Sequence, residues 1–226
     1  MTETPARSAL IVTGGWEGHR PCEVAEIMAR ELRATGFEPR IAHTLDPLSD
    51  RDALAGLDLV VLNWHMGVED EQTRLDLVPL LDAVAAGTGL AGIHAGLGDA
   101  FRLEVDFQFM VGGQWVAHPG DDGVSYEVTI ADREHPIAHG VEDFVVVSEK
   151  YYMHFDPAVH VIATTDFDGV AMPIVWTKPW GAGRVFYSSL GHTPQIVEQA
   201  PALALLRQGM VWAAAGPRAA RPKFPV

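Results

Sequence analysis

Four of the ten histidines in this chain stand where side chains commonly do chemistry. His19 ends the run Gly14-Gly15-Trp16-Glu17-Gly18-His19, and His65 follows Leu62-Asn63-Trp64. His94 sits inside Gly92-Ile-His-Ala-Gly96, and His192 follows Gly191. Each comes just after an apolar run of strand character. A free imidazole titrates near about pH 6.5 and, when neutral, offers one lone pair, which suits metal ligation or general acid–base work. If the four converge, His19, His65, His94 and His192 form a ligand set for a divalent ion, zinc or manganese. A catalytic zinc site typically takes about three protein ligands and leaves one position open. For any one of these histidines alone, a helix cap or a surface position is the competing reading.

The Gly92 to Gly96 turn is the sharpest of these signals. A glycine-flanked residue between a strand and a helix is lifted above the edge of a sheet, as the nucleophile of an α/β hydrolase is. Here the lifted residue is His94, a poor acyl-enzyme nucleophile but a good ligand or base. His94, His192 and Glu149 are the candidate catalytic residues, with Glu149 opening the polar-aromatic cluster Glu149-Lys150-Tyr151-Tyr152-Met153-His154. That cluster reads equally as an ordinary sheet edge. Trp16, Trp64, His118 and Tyr152 are the candidate substrate-binding groups. Trp16, Trp64 and Trp115 can stack on the apolar face of a pyranose, or they can be core. His118 and His135 precede prolines, which force an extended local backbone. His135, His139 and His160 read as solvated loop residues.

Other chemistries find no support. The G-x-G-x-x-G spacing at Gly87 to Gly92 leads into the expected strand Gly89–Ile93 and does not open a helix after one, and there is no G-x-x-x-x-G-K-[ST] and no H-E-x-x-H, so no nucleotide cofactor is expected. No serine occupies a glycine-flanked elbow. The single cysteine, Cys22, excludes an intramolecular disulfide and a multi-cysteine zinc site, and reads as a buried structural thiol.

These residues need a scaffold, and the first hundred positions supply one. Strands are expected at Ser8–Thr13, Glu38–His43, Leu57–Asn63 and Gly89–Ile93, with helices at Pro21–Thr35 and Glu69–Ala86. Alternation of helices with nearly all-apolar strands means a parallel sheet covered on both faces. The result is a doubly wound α/β fold whose site lies at the carboxyl ends of the strands. The second half changes period: Val124–Ile130, Phe144–Ser148, Val159–Thr164, Pro173–Trp176 and Arg184–Leu190 read as strands of an antiparallel extension. Val197–Ala214 reads as a closing helix. We read one domain over 1–216 and an irregular tail over 217–226.

Composition narrows the partners. The net charge of −14 comes from 30 acids against 16 bases, without the clustered cations that a phosphate backbone requires, so neither nucleic acid nor an anionic membrane is expected. No apolar run approaches the ~20 residues of a membrane span, and the polar start Met1-Thr2-Glu3 is unlike a signal peptide, so a cytoplasmic location is expected. A small neutral substrate and a homo-oligomeric state fit this surface.

Taken together, the Gly14-Gly15-Trp16 loop with His19, the Gly92–Gly96 elbow, Gly112-Gly113-Gln114 through His118-Pro119, His135-Pro136-Ile137, Ser148-Glu149 through Tyr152, and Gly183-Arg184 through Gly191-His192 resemble the ThuA-like, or trehalose-utilisation, family. The resemblance spans nearly the whole chain in order. It implies a flavodoxin-like fold of the class I glutamine amidotransferase type and a role in sugar catabolism, on trehalose or 3-keto-glycosides. In amidotransferase relatives the elbow holds a cysteine activated by a downstream histidine; the matching positions here are His94 and His192, so thiol-based glutamine hydrolysis is not expected. What remains is isomerisation, elimination or hydrolysis of a sugar or keto-sugar by histidine and glutamate, with metal assistance. The other reading is a non-catalytic sugar-binding or regulatory module that kept the scaffold and lost its nucleophile.

Overall fold

The computed structural model of the chain describes residues 6–65 and 75–216. Five strands form the parallel part of a nine-stranded sheet: β1 (Arg7–Gly15), β2 (Phe37–Ala42), β3 (Leu59–His65), β4 (Gly89–Ile93) and β11 (Gly183–Ser188), in the order β2-β1-β3-β4-β11. The sheet continues from β11 through β10 (Val170–Trp180), β9 (His160–Phe167), β6 (Val124–Ile130) and β7 (Phe144–Ser148), all joined antiparallel. A separate antiparallel ribbon pairs β5 (Gly113–Ala117) with β8 (Tyr152–Phe155). The α/β architecture with an antiparallel extension is the one expected.

Alternate residues of each parallel strand feed opposite faces, because side chains along a strand point up and down in turn. Ala9, Ile11, Leu59, Val61, Ala91, Ile93 and Phe186 enter one core with α1 (Pro21–Ala34) and the last helix, α7 (Ala200–Ala213). Leu10, Val12, Val60, Leu62, Leu90, Val185 and Tyr187 enter the other. There they meet α2 (Arg51–Leu54), α3 (Val78–Ala85), α4 (Ala95–Gly98) and α5 (Val105–Val111). With both faces buried under helices, the rim of strand ends is left as the platform for a site.

The structure also departs from the sequence reading in places. Of the expected helix over Glu69–Ala86, positions 75–77 are not helical and the helix runs over Val78–Ala85, with Pro79 in its first turn; positions 66–74 lie outside the described residues, as does the 217–226 tail. The closing helix expected over Val197–Ala214 is α7, starting at Ala200, and Val197 instead ends a separate short helix, α6 (Pro194–Val197), because Pro201 has no N–H to continue it and its ring would crowd the carbonyl of Val197. Strand β3 runs on to His65, so that histidine lies in the strand rather than after it. Cys22 is exposed, not buried: on α1 the buried face is carried by Val24, Ala25, Met28 and Leu32, and Cys22 lies off it. No helix among the described residues is long and apolar enough to cross a membrane.

Candidate active site

The carboxyl ends of β1, β3, β4 and β11 share one rim, since Gly15 stands opposite His65 and Ile93 opposite Ser188 in parallel register. His19, His65, His94 and His192 therefore come together there. The ring of His19 lies 4.7 Å from that of His65, 4.8 Å from His94 and 5.0 Å from His192, and His94 lies 5.5 Å from His192.

Backbone geometry at two turns makes this approach feasible. At Gly15, φ is +83° and a Cβ would fall 1.7 Å from the carbonyl oxygen of His65, so only glycine lets the β1 loop cross the end of β3 and deliver His19. At the elbow, His94 itself holds φ 51° and ψ −141°, a sparsely populated conformation for a residue with a side chain. A Cβ on Gly96 would fall 2.8 Å from Asn63 Cα, so the turn needs glycine where it passes β3.

Each histidine is held differently. His94 is fully buried; its Nδ1–H donates to the Ser189 carbonyl at 2.9 Å, which leaves Nε2 facing the Tyr151 hydroxyl at 2.8 Å and Glu149 Oε2 at 3.0 Å. His65 has both nitrogens engaged, Nδ1 with His19 Nδ1 at 2.9 Å and Nε2 with Asn63 Oδ1 at 2.6 Å. It has no lone pair left for a metal. His192 Nδ1 lies 3.4 Å from Glu149 Oε1. The four side chains whose ligand atoms gather, all within 4.8 Å of one another, are His19, His94, Glu149 and His192. Glu149 thus stands in this group of four, where the sequence reading expects His65.

Burial sets the protonation. His19 is pushed down to about 3 by burial and by the neighbouring His94 and His192, and burial likewise lowers His65 and His94. For Glu149 burial alone would raise the carboxyl, but the imidazoles of His192 and His94 beside it outweigh burial and hold the group below the usual carboxylate range. A carboxylate and a neutral His94 then present two lone pairs to each other at 3.0 Å, a contact that calls for a shared proton or a shared metal cation. Among the described residues Glu149 Oε2 and His192 Nδ1 are buried without a hydrogen-bond partner. The donor set, three imidazoles and one carboxylate, fits zinc or manganese.

The rim above this cluster comes from the β5–β8 ribbon. Glu149, Tyr151 and Met153 are buried while Tyr152 is exposed, the alternation of an extended segment. Tyr151, which the sequence reading did not single out, is the tyrosine that meets His94, stacking on its ring at 4.2 Å; burial and the nearby Tyr187 and Glu149 raise its hydroxyl well above 10, so it remains a proton donor. Tyr152 turns away and packs edge-on to Phe167. Tyr151, two residues from Glu149, shares its parity, and that spacing is the signal the sequence carries. Trp64 also points away: odd residues of β3 carry Asn63 and His65 to the site, and Trp64, 7% exposed, enters the opposite core. His118 stands at the rim, its Nε2 3.9 Å from Glu149 Oε1, with Trp115 5.4 Å away. Trp16 is 51% exposed and edge-on to His19 at 4.7 Å.

The model of the ThuA family, described as trehalose utilisation, matches residues 8–213, and the chain belongs to that family. Its fold is shared with a protein described as ThuA-like from Parabacteroides merdae ATCC 43184, at 20% identity and a TM-score of 0.69, covering 99% of this chain and 95% of that one. A second ThuA-like protein, from Bacteroides uniformis ATCC 8492, shows 18% identity and a TM-score of 0.72 over 94% of this chain and 93% of its own. A protein from Thermoplasma acidophilum, described as belonging to GMP synthase, shares the fold at 16% identity and a TM-score of 0.58, covering 94% of this chain and 96% of its own. The fold is thus of the glutamine amidotransferase type. A search of curated protein sequences finds no match.

Proposed function

We propose that this ThuA-family chain is an enzyme of carbohydrate catabolism that acts on a sugar or keto-sugar by proton transfer at a divalent-metal centre held by His19, His94, His192 and Glu149. The observation that carries the reading is the convergence of these four donors, with Glu149 Oε2 and His192 Nδ1 buried and without a hydrogen-bond partner among the described residues. The family description, trehalose utilisation, supports a sugar as the substrate.

Bound there, zinc or manganese supplies Lewis acidity to a substrate carbonyl. The protein's own groups do the rest. A keto-sugar loses an α-proton to a base, and Glu149 Oε1, facing His118 Nε2 at 3.9 Å, is placed to take it with His118 as the exit toward solvent. Tyr151, stacked on the His94 ring at 4.2 Å, holds that imidazole in place, and its protonated hydroxyl offers a proton from the other side. Trp16 gives an apolar face for a pyranose at the open edge. This chemistry serves isomerisation or elimination, and with water as the acceptor, hydrolysis.

The test is elemental analysis of protein purified without chelators, followed by turnover assays on oxidised disaccharides before and after metal removal. Loss of turnover on chelation and its return with zinc or manganese support the reading. Sugar binding without turnover of any keto-glycoside would replace it with a binding module on the same scaffold.

A further inference from the structure

Asn63 lies beneath the cluster and touches no part of the open site, yet its hydrogen bonds run in one direction only. Its Nδ2 group donates to the Pro21 carbonyl at 3.0 Å and to Thr13 Oγ1 at 2.9 Å, and the Thr13 hydroxyl itself donates to the Pro21 carbonyl at 2.9 Å. A carbonyl oxygen cannot donate, so the amide is fixed with nitrogen toward Pro21 and Oδ1 toward His65. Oδ1 accepts, so His65 must carry its proton on Nε2, at 2.6 Å. A neutral His65 then has only a lone pair at Nδ1, which must accept from Nδ1–H of His19 at 2.9 Å. His19 is left with its lone pair on Nε2.

We infer that Asn63 and His65 form a tautomer relay that fixes His19 as an Nε2 ligand, making Asn63 and His65 positioning residues rather than members of the ligand set. The relay rests on the metal reading for its purpose but not for its existence, since every bond in it is present in the protein itself. His94 is fixed in the same sense by a different device, its Nδ1–H donating to the Ser189 carbonyl. The two independent anchors therefore turn two Nε2 lone pairs toward the same centre. Partners that hold the far nitrogen of a ligating histidine set its tautomer and orientation, and losing one typically costs about 10- to 100-fold in metal affinity. Close passage of Gly96, where a Cβ would fall 3.2 Å from Asn63 Oδ1, ties the relay to the elbow.

The first measurement needs no variant: ring nitrogen NMR of metal-free protein with labelled histidines, at a pH where the cluster is neutral. His19 protonated at Nδ1 and His65 at Nε2 is the expected pattern; His19 protonated at Nε2 overturns the relay. The second is zinc affinity by competition with a chromophoric chelator. Asn63→Leu keeps the volume and removes the acceptor, so His65 can move its proton to Nδ1 and drive that of His19 onto Nε2; zinc binding should weaken by about 10- to 100-fold. Thr13→Val removes one anchor and leaves the Pro21 carbonyl, so its loss should be smaller, and it serves if Asn63→Leu fails to fold. Unchanged affinity in a folded Asn63→Leu protein overturns the relay's part in metal binding. If the unaltered protein binds no zinc or manganese, the proposed function falls, and the NMR pattern alone decides the relay.

Discussion

His94 Nε2 and Glu149 Oε2 face each other at 3.0 Å inside a pocket that keeps the imidazole neutral and the carboxylate ionised. Two groups so placed repel unless positive charge lies between them. Replacing either side by an amide should therefore cost function and spare the fold. His94→Asn suits the backbone, because asparagine tolerates the positive φ of the elbow better than most residues. Glu149→Gln keeps the shape and cannot take a proton. We expect both variants to melt near the unaltered protein and to lose about 10²-fold or more in turnover of the sugar substrate. Full activity in both would sink the mechanism.

Tyr151 and Tyr152 offer an internal control. Tyr151→Phe removes the hydroxyl that lies 2.8 Å from His94 Nε2, while Tyr152→Phe alters a side chain packed on Phe167. Tyr151→Phe should lower turnover or shift its pH profile, and Tyr152→Phe should change neither. Equal effects of the two on steady-state kinetics would remove Tyr151 from the site.

The pH dependence of stability carries a definite sign. The pKa of His19 falls to about 3 in the folded protein from about 6.5 in an unfolded chain, so between those values the unfolded state binds more protons. Stability that is present above about pH 6.5 should therefore be lost as the pH falls toward 3. Burial of His65 and His94 acts in the same direction. The metal-free protein should melt several degrees lower at pH 5 than at pH 8, and His19→Asn should flatten that slope. A melting temperature that rises on acidification over this range would contradict the neutral cluster.

How far the sequence reveals this site depends on parity. Glycine-flanked turns and the strand–helix alternation place His19, His65, His94 and His192 on one rim, because a parallel sheet leaves little freedom about where its strands end. Which residue of a pair faces inward is set by register, and register is fixed only by pairing: β8, paired with β5 from Tyr152 onward, has Tyr152 out and Met153 in, and Tyr151 just before it is buried. The same alternation on β3 sends Asn63 and His65 to the rim and Trp64 to the core. His65 looks like a ligand in sequence because its partners, Asn63 and His19, are visible only once the chain is folded. Cys22 shows the converse: burial was expected from residue type, and the helix phase decided otherwise.

That phase difference makes the two tryptophans separable by experiment. Trp64 fills the core under Gly14, where a Cβ would fall 2.5 Å from its ring, so Trp64→Ala should destabilise the protein by about 3–5 kcal/mol, as removal of a buried aromatic side chain usually does. In a domain of this size each kcal/mol lowers the melting temperature by roughly 2–4 °C, so the change is easily measured. Trp16, half exposed and leaning on His19, has little core to lose. Trp16→Ala should leave the melting temperature nearly unchanged and raise KM for the sugar by about 3- to 10-fold with kcat less affected, the range expected for one aromatic stacking contact. A Trp16→Ala protein with unaltered KM would move sugar stacking away from this edge, to Trp115 beside His118.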